Sequence, residues 1–224
     1  MPYQWILFDA DETLFSFDAL KGLKLMFSRH GVDFTDNDYR DYQALNQPLW
    51  QAYNAGDIDA ITLQTTRFTA WGDKLGTTGQ QLNSDFLQSM ADICAPLPGV
   101  RELLDSLHGK ARLGIITNGF TELQRVRLER TGLADAFELL VISEEVGVTK
   151  PNVGIFQHAL EKMGQPDNNR VLMVGDNLHT DILGGINAGL HTCWYNPHQQ
   201  QGDEAIAPTM VTEHHDELRQ RLVA

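Results

Sequence analysis

Short apolar runs rich in β-branched and aromatic residues recur through residues 1–15 and 96–224, and a stretch with helical spacing follows nearly every one. Candidate strands fall at 5–8, 112–116, 139–142, 171–174 and 192–195, with a last short one near 210–211. Candidate helices fall at 100–107, 120–131, 155–163, 181–188 and 215–222. Strands apolar on both faces must be covered on both faces, and helical crossovers between them make neighbouring strands parallel. The pattern therefore predicts an α/β fold, a doubly wound parallel sheet.

Residues 16–92 break this alternation. Phe17, Leu20, Leu23 and Phe27 recur at helical spacing, as do Leu45, Leu49, Trp50 and Tyr53, then Leu82, Phe86 and Met90. No strand-like run lies between them. Gly31, Gly56, Gly72, Gly76 and Gly79 are expected at turns or caps. The segment reads as a helical insertion after the first strand, returning at Pro96-Leu97-Pro98-Gly99. The expected division is 1–15 with 93–224 as the sheet domain and 16–92 as the inserted helical one. Residues 196–208 read as a polar loop.

Charge narrows the range of partners. The 17 Lys and Arg face 30 Asp and Glu, a formal net charge of −13. A surface this acidic argues against a nucleic-acid duplex or an anionic membrane as partner. No apolar run approaches the ~20 residues that span a bilayer. The start, Met1-Pro2-Tyr3-Gln4, has no secretory-signal character. Cys94 and Cys193 are far apart and expected to be inert, as suits a reducing cytoplasm.

In open α/β sheets ligands bind beyond the carboxyl ends of the strands, so the residues following each apolar run carry the information. Asp9-Ala10-Asp11-Glu12-Thr13 follows the first run and Thr117-Asn118-Gly119 the second. A loop leading to Lys150-Pro151 follows the third, and Gly175-Asp176 follows the fourth, with Asp181 five residues further on. Asp9 and Asp11 would share a face of an extended segment, where two carboxylates repel unless one is protonated or a cation joins them. Asp9 can then act as nucleophile and metal ligand. Asp11 can act as general acid and then base, and its backbone carbonyl can also bind the metal. Mg²⁺ suits a set of carboxylate and carbonyl oxygens completed by a phosphate oxygen, with Asp176 as a further ligand and Asp181 behind it. Asp9, Asp176 and a dianionic phosphate carry twice the charge that Mg²⁺ returns. A fixed cation is still wanted, and Lys150 is the sole lysine between Lys110 and Lys162. Thr117 supplies a hydroxyl, while Asn118 and Gly119 supply backbone N–H groups for phosphoryl oxygens.

These four segments resemble, in order, the signature motifs of the haloacid dehalogenase superfamily. Asp9–Thr13 is similar to its DxDxT motif, Thr117 to its second-motif hydroxyl, Lys150 to its lysine, and Gly175-Asp176 with Asp181 to its GDxxxxD motif. The resemblance implies a Rossmann-like core with an inserted helical cap, Mg²⁺ as cofactor, and catalysis by Asp9, Asp11, Thr117 and Lys150. The metal would sit on Asp9, Asp11 and Asp176. An acid two residues after the nucleophile marks the phosphatases of the superfamily. Further segments, Ile115–Phe120, Val126–Leu133 and Ile186–Leu190, resemble a bacterial branch that dephosphorylates UMP, dUMP and dTMP. The resemblance thus implies a small phosphate monoester, a pyrimidine nucleotide, as substrate, and a monomer or weak homodimer in the cytoplasm.

Blander readings stand beside these. Phe15, Phe17, Trp50, Phe68 and Trp71 are placed in the insertion, and aromatics at helical spacing are more often core than base platforms. Asn46 and Gln64 are expected as ordinary amides, and His179 as a rim or solvated residue. His214-His215 lack zinc-ligand spacing. Competing functions are a sugar-phosphate phosphatase or phosphomutase on the same scaffold, a phospho-receiver signalling domain, and a non-catalytic metal-binding scaffold. The long insertion and the late acidic motif speak against a receiver.

Overall fold

A computed structural model describes residues 2–223 of the chain. Six strands, β1 (Trp5–Phe8), β2 (Arg112–Thr117), β3 (Leu139–Ile142), β4 (Val171–Gly175), β5 (His191–Tyr195) and β6 (Met210–Thr212), form one sheet. Their order is β3-β2-β1-β4-β5-β6, and every neighbouring pair is parallel. The chain builds outward from β1 to β3, then returns to the other side of β1 to lay down β4, β5 and β6. That reversal opens a crevice at the carboxyl ends beside β1.

Register fixes what meets there. Phe8 pairs with Ile115 on one side and with Val174 on the other. Asp9, Thr117 and Asp176 therefore leave the sheet within about one residue of each other.

The chain divides into two compact units. The first, Met1–Ser16, Ala95–Gly119 and Thr131–Ala224, holds the sheet. One of its cores joins Trp5, Leu7, Ile116, Val141 and Met173 to Ile155, Phe156 and Ala159 of the helix Val153–Lys162. The helix Val100–Leu107 packs against the last helix, His215–Val223. The stretch expected as a helix at 181–188 is a π-helical turn, Leu178–Ile182, followed by a short helix, Leu183–Asn187. Gly184 lets that helix lie close to its neighbour, since a Cβ there would stand 2.5 Å from the Phe156 ring.

The second unit, Phe17–Cys94 and Phe120–Arg130, is wholly helical. Its helices are Ala19–Arg29, Asp36–Ala55, Ala60–Thr66, Thr69–Leu75, Gly79–Ile93 and Thr121–Thr131, the last ending one residue beyond the unit. Asp18, Thr35, Asp59 and Thr78 cap four of them with side-chain oxygens, and Thr35 forms a full capping box with Asp38. Thr121–Thr131 follows β2 in sequence, yet most of it groups with this unit, where Phe120 and Leu123 join the core.

Two expectations are corrected here. Gly31, Gly56 and Gly76 lie at positive φ after helices, but Gly72 and Gly79 lie inside helices. A Cβ on Gly79 would meet the Thr65 carbonyl oxygen at 2.4 Å, so close backbone approach selects glycine there. Phe15 belongs to the first unit and is fully buried, whereas Phe17 is partly exposed. Phe68 is core, and Trp71 packs on Phe27 with ring centroids 4.5 Å apart. Trp50 stacks on Phe120.

The helical unit also buries a cation. Arg67 is 4% exposed and lies over the rings of Phe68, Phe86 and Phe120 at 5.2–5.3 Å. Its Nε and Nη2 donate to Asn83 Oδ1 at 3.0 and 2.5 Å, and Nη1 donates to the Tyr42 hydroxyl at 3.4 Å. Among the described residues no carboxylate pairs with it. Burial lowers its pKa, against the pull of Tyr42. Asn83 in turn donates to Gln64.

Candidate active site

Lys150 is the centre of the arrangement at the carboxyl edge of the sheet. It is 1% exposed, and its ammonium donates to Asp9 Oδ1 at 2.5 Å and to the Ile116 carbonyl at 2.8 Å. It also stands 2.7 Å from Asp181 Oδ1. Its backbone is clasped by one side chain, because Asn118 Oδ1 accepts from Lys150 N at 2.8 Å while Asn118 Nδ2 donates to Lys150 O at 2.9 Å. The second strand's loop thus holds the third strand's lysine in place.

Thr117 is buried, and its Oγ1 accepts from Gly119 N at 3.0 Å. The Gly119 N–H bonds Thr117 Oγ1, and the Asn118 side chain braces Lys150.

On the other side of β1, Thr13 locks Asp176. The Thr13 hydroxyl accepts from Asp176 N at 3.0 Å and donates to Asp176 Oδ1 at 3.2 Å. Trp194 Nε1 donates to the Asp176 carbonyl at 2.8 Å. Asp181, from the π-helical turn, accepts from Asn177 N at 3.0 Å and from the Thr180 hydroxyl at 3.3 Å. A tight turn places Thr13: Leu14 N and Phe15 N both donate to the Ala10 carbonyl, and Glu12 adopts a φ of 57°.

Carboxylate oxygens of Asp9, Asp176 and Asp181 lie within 4.8 Å of one another. Asp11 is not one of that group. Asp181 stands in it, but its oxygens are already engaged by Lys150, Asn177 and Thr180. Burial pushes the Asp9 carboxyl up to about 8; Lys150 opposes this, while Asp181, Asp176 and Asp11 add to it. Burial and Asp181 likewise push Asp176 up to about 7, against Thr13 and Lys150. One ammonium is thus not enough for these acids. The donors are all oxygen, and the charge they lack is positive, which is what a hard divalent cation supplies. Lys150 itself is held above its ordinary range by Asp181 and Asp9, although burial acts the other way.

All the sequence-derived site residues belong to the first unit and leave the sheet at one edge. Trp194 and His215, which also touch this loop cluster, were not legible as site residues. A cavity of about 810 Å³ opens at the opposite, amino-terminal edge, lined by Gln4, Lys110, Arg112 and Arg170 among others, and contains none of these residues.

Comparison with known proteins agrees with the geometry. The family model described as haloacid dehalogenase-like hydrolase matches residues 3–189. The pyrimidine 5′-nucleotidase YjjG of Escherichia coli (strain K12) is 56% identical over 222 residues, covering 99% of each chain. The pyrimidine 5′-nucleotidase PynA of Streptococcus pneumoniae (strain ATCC BAA-255 / R6) is 33% identical over 97% of this chain and 94% of its own. Among solved structures, the HAD-hydrolase YfnB of Bacillus subtilis bound to magnesium aligns with a TM-score of 0.84 at 30% identity, covering 99% of both chains. The sheet order, the four strand-end motifs and these full-length likenesses lead to one assignment: the chain belongs to the haloacid dehalogenase-like hydrolase family.

Proposed function

We propose that this protein is a magnesium-dependent phosphatase of pyrimidine nucleoside 5′-monophosphates, acting through an aspartyl-phosphate on Asp9. The observation that carries the chemistry is the single buried ammonium of Lys150, shared between Asp9 and Asp181 at the switch point of the sheet. The substrate class rests on the full-length likeness to YjjG and PynA. In this reading the helical unit is the cap, and the setting is the cytoplasm.

Asp9, Asp176 and the Asp11 carbonyl would hold Mg²⁺, with Asp181 behind them. When bound, the ion supplies positive charge that neutralises phosphate oxygens and keeps Asp9 ionised. An Asp9 carboxylate oxygen attacks phosphorus as the bond to the nucleoside 5′-oxygen breaks, and Asp11 donates a proton to that oxygen. Thr117 and Lys150 stabilise the charge on the phosphoryl group in transit. Asp11, now a carboxylate, takes a proton from water as the water oxygen attacks phosphorus. The bond to Asp9 breaks, inorganic phosphate leaves, and both aspartates return to their starting states.

The test is phosphate release from a panel of nucleotides and sugar phosphates with Mg²⁺ present. Preference for UMP, dUMP and dTMP over purine nucleotides and sugars is expected, with Asp9→Asn inactive and folded. Equal rates on sugar phosphates would remove the substrate assignment, and an active Asp9→Asn would remove the nucleophile.

A further inference from the structure

His215 is buried at the start of the last helix. Both of its ring nitrogens reach backbone carbonyls of distant segments. Nε2 lies 2.8 Å from the Thr13 carbonyl oxygen and Nδ1 lies 3.1 Å from that of Pro98. A carbonyl only accepts, so a neutral ring can donate to only one of the two. The shorter contact is read as that bond, which puts the N–H on Nε2 and leaves Nδ1 without a hydrogen bond to Pro98. The ring lies against Tyr195, with centroids 4.3 Å apart. Gly99 leaves room for it, as a Cβ there would come within 3.1 Å of His215 Cβ.

Thr13 is also the residue that locks Asp176, through both the Asp176 N–H and its carboxylate. Thr13 is thus held by its carbonyl and holds with its hydroxyl. Neighbouring carbonyls of the same turn, Ala10 and Phe15, are taken by N–H groups within the turn. A ring nitrogen on the last helix serves Thr13.

We infer that His215 is a positioning residue for the metal-binding edge, acting through its Nε2–H···O=C bond to Thr13 and the Thr13 hydroxyl to orient Asp176. The inference rests on the metal-dependent hydrolase reading. Groups placed behind metal ligands change affinity or activity by about 10–100-fold when removed.

Two substitutions separate positioning from packing. The amide nitrogen of His215→Gln can take the place of Nε2, whereas that of His215→Asn takes the place of Nδ1 and leaves Thr13 without a donor. Both variants of the full chain are measured by calorimetric titration with Mg²⁺ alone and by phosphate release from UMP. His215→Gln should bind Mg²⁺ within about threefold of the parent. His215→Asn should bind about tenfold more weakly and lose kcat to a similar degree, while KM for UMP changes less than about twofold. Equal effects of the two substitutions, or none, would overturn the inference. If the parent binds Mg²⁺ yet hydrolyses no nucleotide, the nucleotidase reading fails, and the calorimetric comparison still decides the role of His215.

Discussion

Asp181 occupies the space that a side chain at Gly175 would need: a Cβ built there stands 2.3 Å from Asp181 Oδ2 and 2.4 Å from its Cβ. Gly175 ends β4 and Asp181 lies in the π-helical turn that follows, so the two ends of the acidic motif pack directly against each other. Gly175→Ala would push Asp181 away from Lys150. Overpacking of this kind costs about 1–3 kcal/mol. A lowered urea midpoint and a loss of phosphatase activity larger than the stability loss explains are expected, and a variant with parental kinetics would refute the contact's importance.

Lys150 answers for two buried carboxylates. Lys150→Met keeps most of the volume but leaves Asp9 and Asp181 without their shared ammonium. Removing one partner of a buried ion pair costs about 3–5 kcal/mol. Chemical denaturation should show a loss in that range without Mg²⁺ and a smaller one with it, because the ion restores part of the missing charge.

The metal-free protein should lose stability as pH rises. Burial pushes the Asp9 carboxyl up to about 8 and that of Asp176 up to about 7, above the ordinary carboxylate value of 3.8. Between these limits the folded state binds more protons than the unfolded one, so each step upward in pH favours unfolding. The contribution is complete below about pH 4 and gone above about pH 8. Melting temperatures in EDTA should fall across pH 5–8, and Mg²⁺ should flatten that slope while releasing protons on binding. A rising slope in EDTA would contradict the buried-acid picture.

In the helical unit the Arg67 guanidinium depends on Asn83 for two of its hydrogen bonds. Asn83→Leu leaves a buried cation short of acceptors, where a hydrogen bond to a charged group is worth about 1.5–3 kcal/mol. Arg67→Met removes the cation together with its demand. Thermal unfolding should therefore rank Asn83→Leu as the more damaging of the two.

The sheet was legible because its strands are buried on both faces, which turns them into compact apolar runs bounded by polar strand ends. The parallel order and the observed register bring Asp9, Thr117 and Asp176 to one edge, where the loop after β3 carries Lys150. The roles of Trp194 and His215 were not legible. Trp194 reads as one more apolar residue in a strand, and its hydrogen bond to the Asp176 carbonyl exists only once β4 and β5 are paired. His215 reads only as one of two histidines in an acidic stretch without zinc-ligand spacing, and the packing of the last helix shows it to be buried. Gly72 and Gly79 read as turns because a glycine chosen for close approach leaves the same mark in a sequence as one chosen for positive φ. Burial pushes the Cys193 thiol up to about 12, the direction that disfavours the thiolate.

β1 lies inside the sheet, with β2 on one side and β4 on the other. Its peptide groups cannot reach solvent by the peeling of an outer strand, as those of β6 can. Amide exchange at Leu7 and Phe8 should then require opening of the whole sheet, whereas Val211 exchanges through local fraying. In the proposed reaction the Asp9 carboxylate follows directly on this interior strand, so its aim should persist through the small excursions that loosen the periphery.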